Sequence, residues 1–167
     1  MRGNHLVNGT LKELILAYAQ AGKLDWIGCR PARRARVVSA RHPQVTESGL
    51  AGDHGVSSKR AVTLIQAEHL PVIGAMLGRG SVPPEIVRRN LVVSGLNLSA
   101  LKGRHVAIGG CILEITGICA PCSRMEDALG HGGYSAMRGH GGWCARVVQA
   151  GTISLGDQVV PLTTHTP

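Results

Sequence analysis

Residues 104–116 read Arg-His-Val-Ala-Ile-Gly-Gly-Cys-Ile-Leu-Glu-Ile-Thr. Two strand-forming runs, Arg104 to Ile108 and Cys111 to Thr116, stand either side of Gly109-Gly110. Such a pair predicts a β-hairpin, because glycine adopts the positive φ of a tight turn without a Cβ clash. Working outward, further short runs read as strands: Cys144 to Ala150 and Gln158 to Leu162 on one side, Leu91 to Ser94, Ala61 to Gln66, Arg36 to Ala40 and Leu24 to Gly28 on the other. Each is bounded by Gly, Pro or a polar cluster. Many short strands at close spacing, with no β-α-β alternation, predict a barrel or sandwich carrying a few helices.

The helices are short. Thr10 and Glu13 form a T-x-x-E capping box ahead of Leu11, Leu14, Ile15 and Tyr18, with Gly22 as a stop. Ala67 to Leu77 reads as a second helix, Pro84 to Arg89 as a helical turn, and Ser123 with Glu126 as an S-x-x-E box opening another. The fold class expected is mainly β with short helices (α+β), in one domain over residues 10–162. Residues 1–9 and 163–167 are expected to be flexible tails.

Composition agrees with a single globular domain. The chain has 167 residues, 44% of them hydrophobic and 17% charged, which excludes a disordered chain. Aromatics make up only 2%, with no Phe, so the core must be built from Val, Leu, Ile and Ala. No run approaches the ~20 apolar residues of a membrane span. Five cysteines with no export signal read as reduced thiols, which points to the cytoplasm and away from membranes.

The net charge is +8, and the excess gathers around Arg30, Arg33, Arg34, Arg36 and Arg41. Arginine suits fork-like recognition of phosphate or carboxylate. Single-stranded nucleic acid needs aromatic stacking platforms, and two Trp and two Tyr are too few, so a small phosphorylated ligand is favoured over nucleic acid.

Cys119 and Cys122 form C-A-P-C. A zinc knuckle would need two more ligands from Cys111, His131, His140 or Cys144, and no second C-x-x-C exists. A thioredoxin-like pair would need a β-α-β context. The third reading is a reactive thiol, Cys122, at the start of the helix opened by Ser123 and beside Arg124. Cys29 and Cys111 are expected to be structural. The glycine-rich stretch Gly130 to Gly142 is either a flexible loop or a close-approach loop presenting Arg138 and His140 to an anion. Arg88-Arg89-Asn90 offers two guanidinium groups and an amide for a phosphate and a heterocycle edge.

Ordered segments extend this reading: Gly49-Leu50-Ala51-Gly52-Asp53, Arg60 to Ile65 with Glu68, Arg88 to Val93, Gly95 to Leu98, Leu101-Lys102-Gly103, Ile108-Gly109, Thr116, Pro121-Cys122, Arg138-Gly139, Gly142, Val147 and Gly156-Asp157. In this order, over about residues 24–160, the chain resembles the MOSC family, the domain at the C-terminus of molybdenum cofactor sulfurases. The resemblance implies a MOSC-type β-barrel that binds a molybdenum cofactor (molybdopterin). It selects Cys122 rather than Cys119 as catalytic residue and metal ligand, and Cys119 is expected to be dispensable. Together with the residue reading it points to Arg60, Arg88, Arg89, Asn90, Thr116, Arg138 and His140 as cofactor-binding. The function implied is reduction of N-hydroxylated substrates with electrons from a partner protein, by a stand-alone bacterial-type module. The alternatives are a non-catalytic carrier or sulfur-transfer module for the cofactor and, less favoured, a basic zinc- or nucleic-acid-binding module.

Overall fold

The computed structural model describes residues 9–55 and 57–163. The elements of the N-terminal half are α1 (Leu11–Leu16), β1 (Gly22–Cys29), β2 (Val38–Ser39), β3 (Gln44–Thr46), β4 (Gly49–Leu50), β5 (Val62–Gln66), α2 (His69–Met76), α3 (Pro84–Val87) and β6 (Leu91–Ser94). A 3-10 turn, Leu98–Leu101, leads into the second half. There follow β7 (His105–Ile108), β8 (Cys111–Ile118), α4 (Ser123–Leu129), α5 (Gly133–Met137), β9 (Trp143–Gln149), β10 (Gly151–Thr152) and β11 (Gln158–Pro161).

The Gly109-Gly110 hairpin forms as expected, with Val106 opposite Leu113 and Ile108 opposite Cys111. Cys111, Leu113 and Ile115 point inward while the residues between them are half-exposed, the period-two pattern of a strand with one buried face. Seven strands pair in the order β11-β7-β8-β9-β5-β6-β1, and β1 returns to β11 through Gly22–Val159 and Lys23–Gln158. The sheet is therefore a closed barrel, and β2 hangs on β1 outside the ring. All ring pairings are antiparallel except β5–β6, where Leu64 lies beside Leu91.

That parallel pair is a departure from the expectation of no β-α-β unit. Its crossover carries α2 and α3, and these pack with α4 and α5 over the outer face of the barrel. Two cores result. Leu24, Ile27, Val62, Leu64, Leu91, Val93, Leu113 and Ile115 fill the barrel. Ile65 and Val92, on the opposite faces of β5 and β6, meet Ile73, Val87, Met125, Leu129 and Met137 from the helices. Strand β5 is consequently buried on both faces from Val62 to Gln66.

Three local expectations are corrected. The Thr10–Glu13 capping box forms, but α1 ends at Leu16 because none of its residues is buried and no packing sustains further turns. Gly22 opens β1 instead of closing the helix. Of the strand expected over residues 36–40, only Val38–Ser39 pairs, since just one neighbour, the end of β1, is available to it. Of the tails expected at residues 1–9 and 163–167, residues 1–8 and 164–167 lie outside the described residues.

Candidate functional site

The site forms where the barrel rim meets the helical layer. Chain leaving β8 turns through Cys119-Ala120-Pro121-Cys122 into α4, and chain leaving α3 turns through Arg88-Arg89-Asn90 into β6. These turns face each other across a cavity of about 170 Å³. Its lining includes Arg30, Arg60, Arg88, Arg89, Cys119 and Cys122. Arg88 and Arg124 continue into an adjoining, more open cleft of about 730 Å³ that also holds Arg33, Arg34 and Asp127.

Asp53 positions the first arginine. Its Oδ1 accepts the backbone N–H of Arg30 at 2.6 Å and Nε at 3.0 Å, and its Oδ2 accepts Nη2 at 2.7 Å. Burial pushes the Asp53 carboxyl up, but the hydrogen bonds and charge of Arg30 outweigh it and hold the group below the usual carboxylate range. Among the described residues the only other arginine–carboxylate pair is Arg146–Glu114, on the far part of the barrel. Arg60, Arg88, Arg89 and Arg124 thus face the cavity without a carboxylate partner.

Arg89 is 7% exposed. Its Nε donates to Gly141 O at 2.7 Å, Nη1 to Val87 O at 2.9 Å and Nη2 to Cys119 O at 3.2 Å. One buried guanidinium so pins together the glycine-rich segment, the end of α3 and the cysteine turn. A buried guanidinium needs compensating negative charge. Of its acidic neighbours the Cys119 thiol acts on it most strongly. The neighbouring Cys144 thiol and the charges of Arg89 and Arg60 draw the Cys119 thiol down against the effect of burial. The Cys144 thiol is pushed up correspondingly, and its sulfur donates toward Ile118 O at 3.9 Å. Cys122 differs from both: it is exposed, at the N-cap position of α4. The site therefore presents one accessible thiol, Cys122, and one buried thiol, Cys119, drawn toward its anionic form, within a ring of arginines, a donor set suited to a soft metal and to anionic oxygen.

A sequence model of the MOSC domain matches residues 51–160. The chain belongs to the MOSC domain family. Solved structures give the same barrel. YuaD from Bacillus subtilis has a TM-score of 0.77 at 17% identity, covering 85% of this chain and 96% of that one. YiiM from Geobacillus stearothermophilus has a TM-score of 0.70 at 20% identity, covering 87% and 77%. YiiM from Escherichia coli has 0.68 at 18%, covering 87% and 72%. No curated protein matches the chain at a significant level. The MOSC family is one associated with the molybdenum cofactor, and these likenesses establish the MOSC barrel.

Within this MOSC barrel the residues singled out from sequence divide into three groups. Arg60, Arg88, Arg89 and Cys122 do share one cavity. Asn90 and Thr116 are spent on the scaffold. Asn90 Oδ1 accepts the backbone N–H and the hydroxyl of Thr63, both at 3.0 Å, and Nδ2 donates to Gly28 O at 3.1 Å. Thr116 donates toward Lys59 O and Cys144 O. Arg138 and His140 stand outside the cavity: Arg138 is exposed after α5, and His140 meets the His69 ring edge-on at 5.0 Å. The glycine-rich stretch is not one continuous loop. It encloses α5, whose Ala136 and Met137 are buried, and four of its glycines hold turns of positive φ.

The Ser123 capping box is also corrected. Cys122, not Ser123, occupies the cap position, and no side chain caps α4. Glu126 turns forward instead, accepting Gly132 N–H and Tyr134 N–H, each at 2.8 Å. Among the described residues no three His, Cys, Asp or Glu side chains converge as a metal site, so the four-ligand zinc knuckle does not form. Sequence reasoning passed over Arg30, Asp53 and the Cys119–Cys144 pair as site residues. The signal available was an unpaired Asp within the Gly49–Asp53 turn and a third cysteine at the start of a strand.

Proposed function

We propose that this MOSC domain holds a molybdenum cofactor against Cys122 and reduces N-hydroxylated substrates. The observation that carries this reading is an exposed thiol opening into a cavity whose charged lining is arginine alone. The residues fit such a group. The Cys122 sulfur is a soft ligand with free access, and Arg88 Nη2 is a buried donor without a protein partner. Cys122 would hold the metal, and Arg88 with Arg60 would hold the phosphate. When bound, the cofactor supplies the two-electron chemistry.

The protein's own groups do the rest. Arg30 is locked in place at the rim by Asp53. Arg89 braces the cysteine turn so that Cys122 stays at the cavity mouth. The Cys119 sulfur, drawn toward its anionic form, offsets part of the buried charge of Arg89 without occupying the accessible position. Conversion of an N–OH to an N–H group consumes two electrons and two protons and releases water, and the electrons come from a partner reductase. Dissolved protons reach this site directly, because its mouth is open to the larger cleft.

Protein made in molybdate-supplemented cells should carry molybdenum and a fluorescent pterin, and Cys122→Ser should lose most of the metal while keeping its melting temperature. With a chemical electron donor, the loaded protein should convert an N-hydroxylated heterocycle to the amine. Zinc in place of molybdenum would overturn the cofactor reading. Molybdenum without turnover would favour the carrier alternative.

A further inference from the structure

We propose that the cleft of Arg33, Arg34, Arg88 and Arg124 is a pyrophosphate-binding subsite, for a nucleotide-like ligand whose other end reaches the Cys122 cavity. The proposal deepens the reading above and depends on it only for the identity of the reacting end.

Charge is the first argument. Four guanidinium groups face a cleft whose only acidic side chain is Asp127, and none of the four has a carboxylate partner among the described residues. Against this net positive charge a phosphate monoester brings at most two negative charges on one phosphorus, the terminal pyrophosphate of a nucleoside diphosphate brings about three, and a linking pyrophosphate spreads two along the length of the cleft. The charges of Arg30 and Arg124, added to burial, already lower the proton affinity of Arg88, so an anion placed between them relieves repulsion.

Backbone geometry is the second. Among the described residues only two non-glycine residues have positive φ, Arg34 at 67° and Arg88 at 57°. Both line this cleft. Arg88 ends α3, a position where glycine is the common choice. Holding arginine in a left-handed conformation costs stability, and such strain gathers at ligand clamps. The two are joined: Arg88 Nη1 donates to Ala35 O at 2.7 Å, tying the Arg33-Arg34 loop to the α3 end. Arg88 Nη2 is left buried with no partner.

Shape and composition are the third. The cleft, about 730 Å³, shares Arg88 and Arg124 with the Cys122 cavity of about 170 Å³, so one extended molecule can occupy both. No aromatic side chain lines either, which removes the stacking that single-stranded nucleic acid requires.

The chemistry has two sources: a nucleotide substrate, or a cofactor carrying a nucleotide through a pyrophosphate link. Calorimetry of full-length Cys122→Ser with inorganic pyrophosphate, ADP and phosphate at physiological salt tests the shared chemistry. Pyrophosphate and ADP should bind at least tenfold more tightly than phosphate. Arg34→Gly should weaken both at least tenfold without lowering the melting temperature, since glycine accepts the φ of 67°. Arg41→Ala, the same charge loss on an arginine lining neither cavity, should change affinity less than twofold. Acid hydrolysis of the loaded wild type that releases a nucleotide assigns the site to the cofactor; release of none, with ADP still bound by the variant, assigns it to substrate. Pyrophosphate binding no tighter than phosphate, equal losses in Arg34→Gly and Arg41→Ala, or an oligonucleotide outcompeting ADP overturns the proposal. Pyrophosphate binding as described in a protein that never acquires molybdenum overturns only the cofactor reading.

Discussion

Cys119 shows how far a side chain's chemistry depends on neighbours distant in sequence. Its thiol is drawn down by the neighbouring Cys144 thiol, on β9, and by the positive charge of Arg89 and Arg60. With Cys144→Ala the Cys119 thiol loses the largest influence that draws it down, so its titration, followed by absorbance near 240 nm, should move up toward the ordinary thiol value of 9.0. Cys144→Ser keeps a donor and should hold most of the shift. Linkage gives the sign of the effect on stability. Because the folded value lies below the unfolded one, Cys119 stabilises fully above about 9 and loses its contribution as pH falls through about 6. Cys144, raised on folding, contributes in the opposite sense and loses that contribution as pH climbs past its ordinary value. Arg89 and Asn90 teach the same lesson. Beside Arg88 in sequence they read as a ligand-binding trio, yet the alternation of the chain entering β6 turns them into the scaffold.

At the scale of elements, the turns around the site are held by backbone more than by caps. Gly142 precedes β9 at φ +94°, and a Cβ there would meet the Leu64 carbonyl of β5. The carbonyl of Gly142 also accepts the Cys119 N–H at 2.9 Å. Gly142→Ala should therefore destabilise the protein by about 2–3 kcal/mol, combining a disfavoured φ with a clash against an unyielding backbone. Gly139→Ala has φ +79° but open space around its Cβ, and should cost only about 1–2 kcal/mol. Denaturant titration of the two variants separates the terms; equal losses would mean that the Leu64 contact carries no energy. Helix α4 is seven residues with no side-chain cap, and it stays in place because Met125 and Leu129 are buried against β5, α3 and α5.

The whole molecule is a barrel closed by its shortest ring pairing. Strands β8 and β9 pair over six residues, whereas β1 and β11 meet at two. Loss of two pairs costs far less than loss of six, so the seam should open without global unfolding. Amides of β11 facing β1 should exchange with solvent at least tenfold faster than those between β8 and β9 in native-state hydrogen exchange. Equal protection would show that the barrel opens only as a unit. No helix among the described residues is long and apolar enough to cross a membrane.

The sequence by itself determined the strand-rich architecture, the Gly109-Gly110 hairpin, the capped start of α1 and the arginine surplus of the N-terminal segment. These are local properties: period-two burial, turn glycines and side-chain charge act within a few residues and need no knowledge of the rest of the chain. The ordered resemblance carried the barrel and the choice of Cys122. Only the tertiary structure decided that β5 runs parallel to β6 and is buried on both faces, since a run of apolar residues does not say what covers each side. It also decided which arginines reach the cysteine turn. Arg30, Arg60, the neighbours Arg88 and Arg89, and Arg124 come from four separate segments of the chain, and the closure of the barrel against its helices alone brings their charges to one cavity.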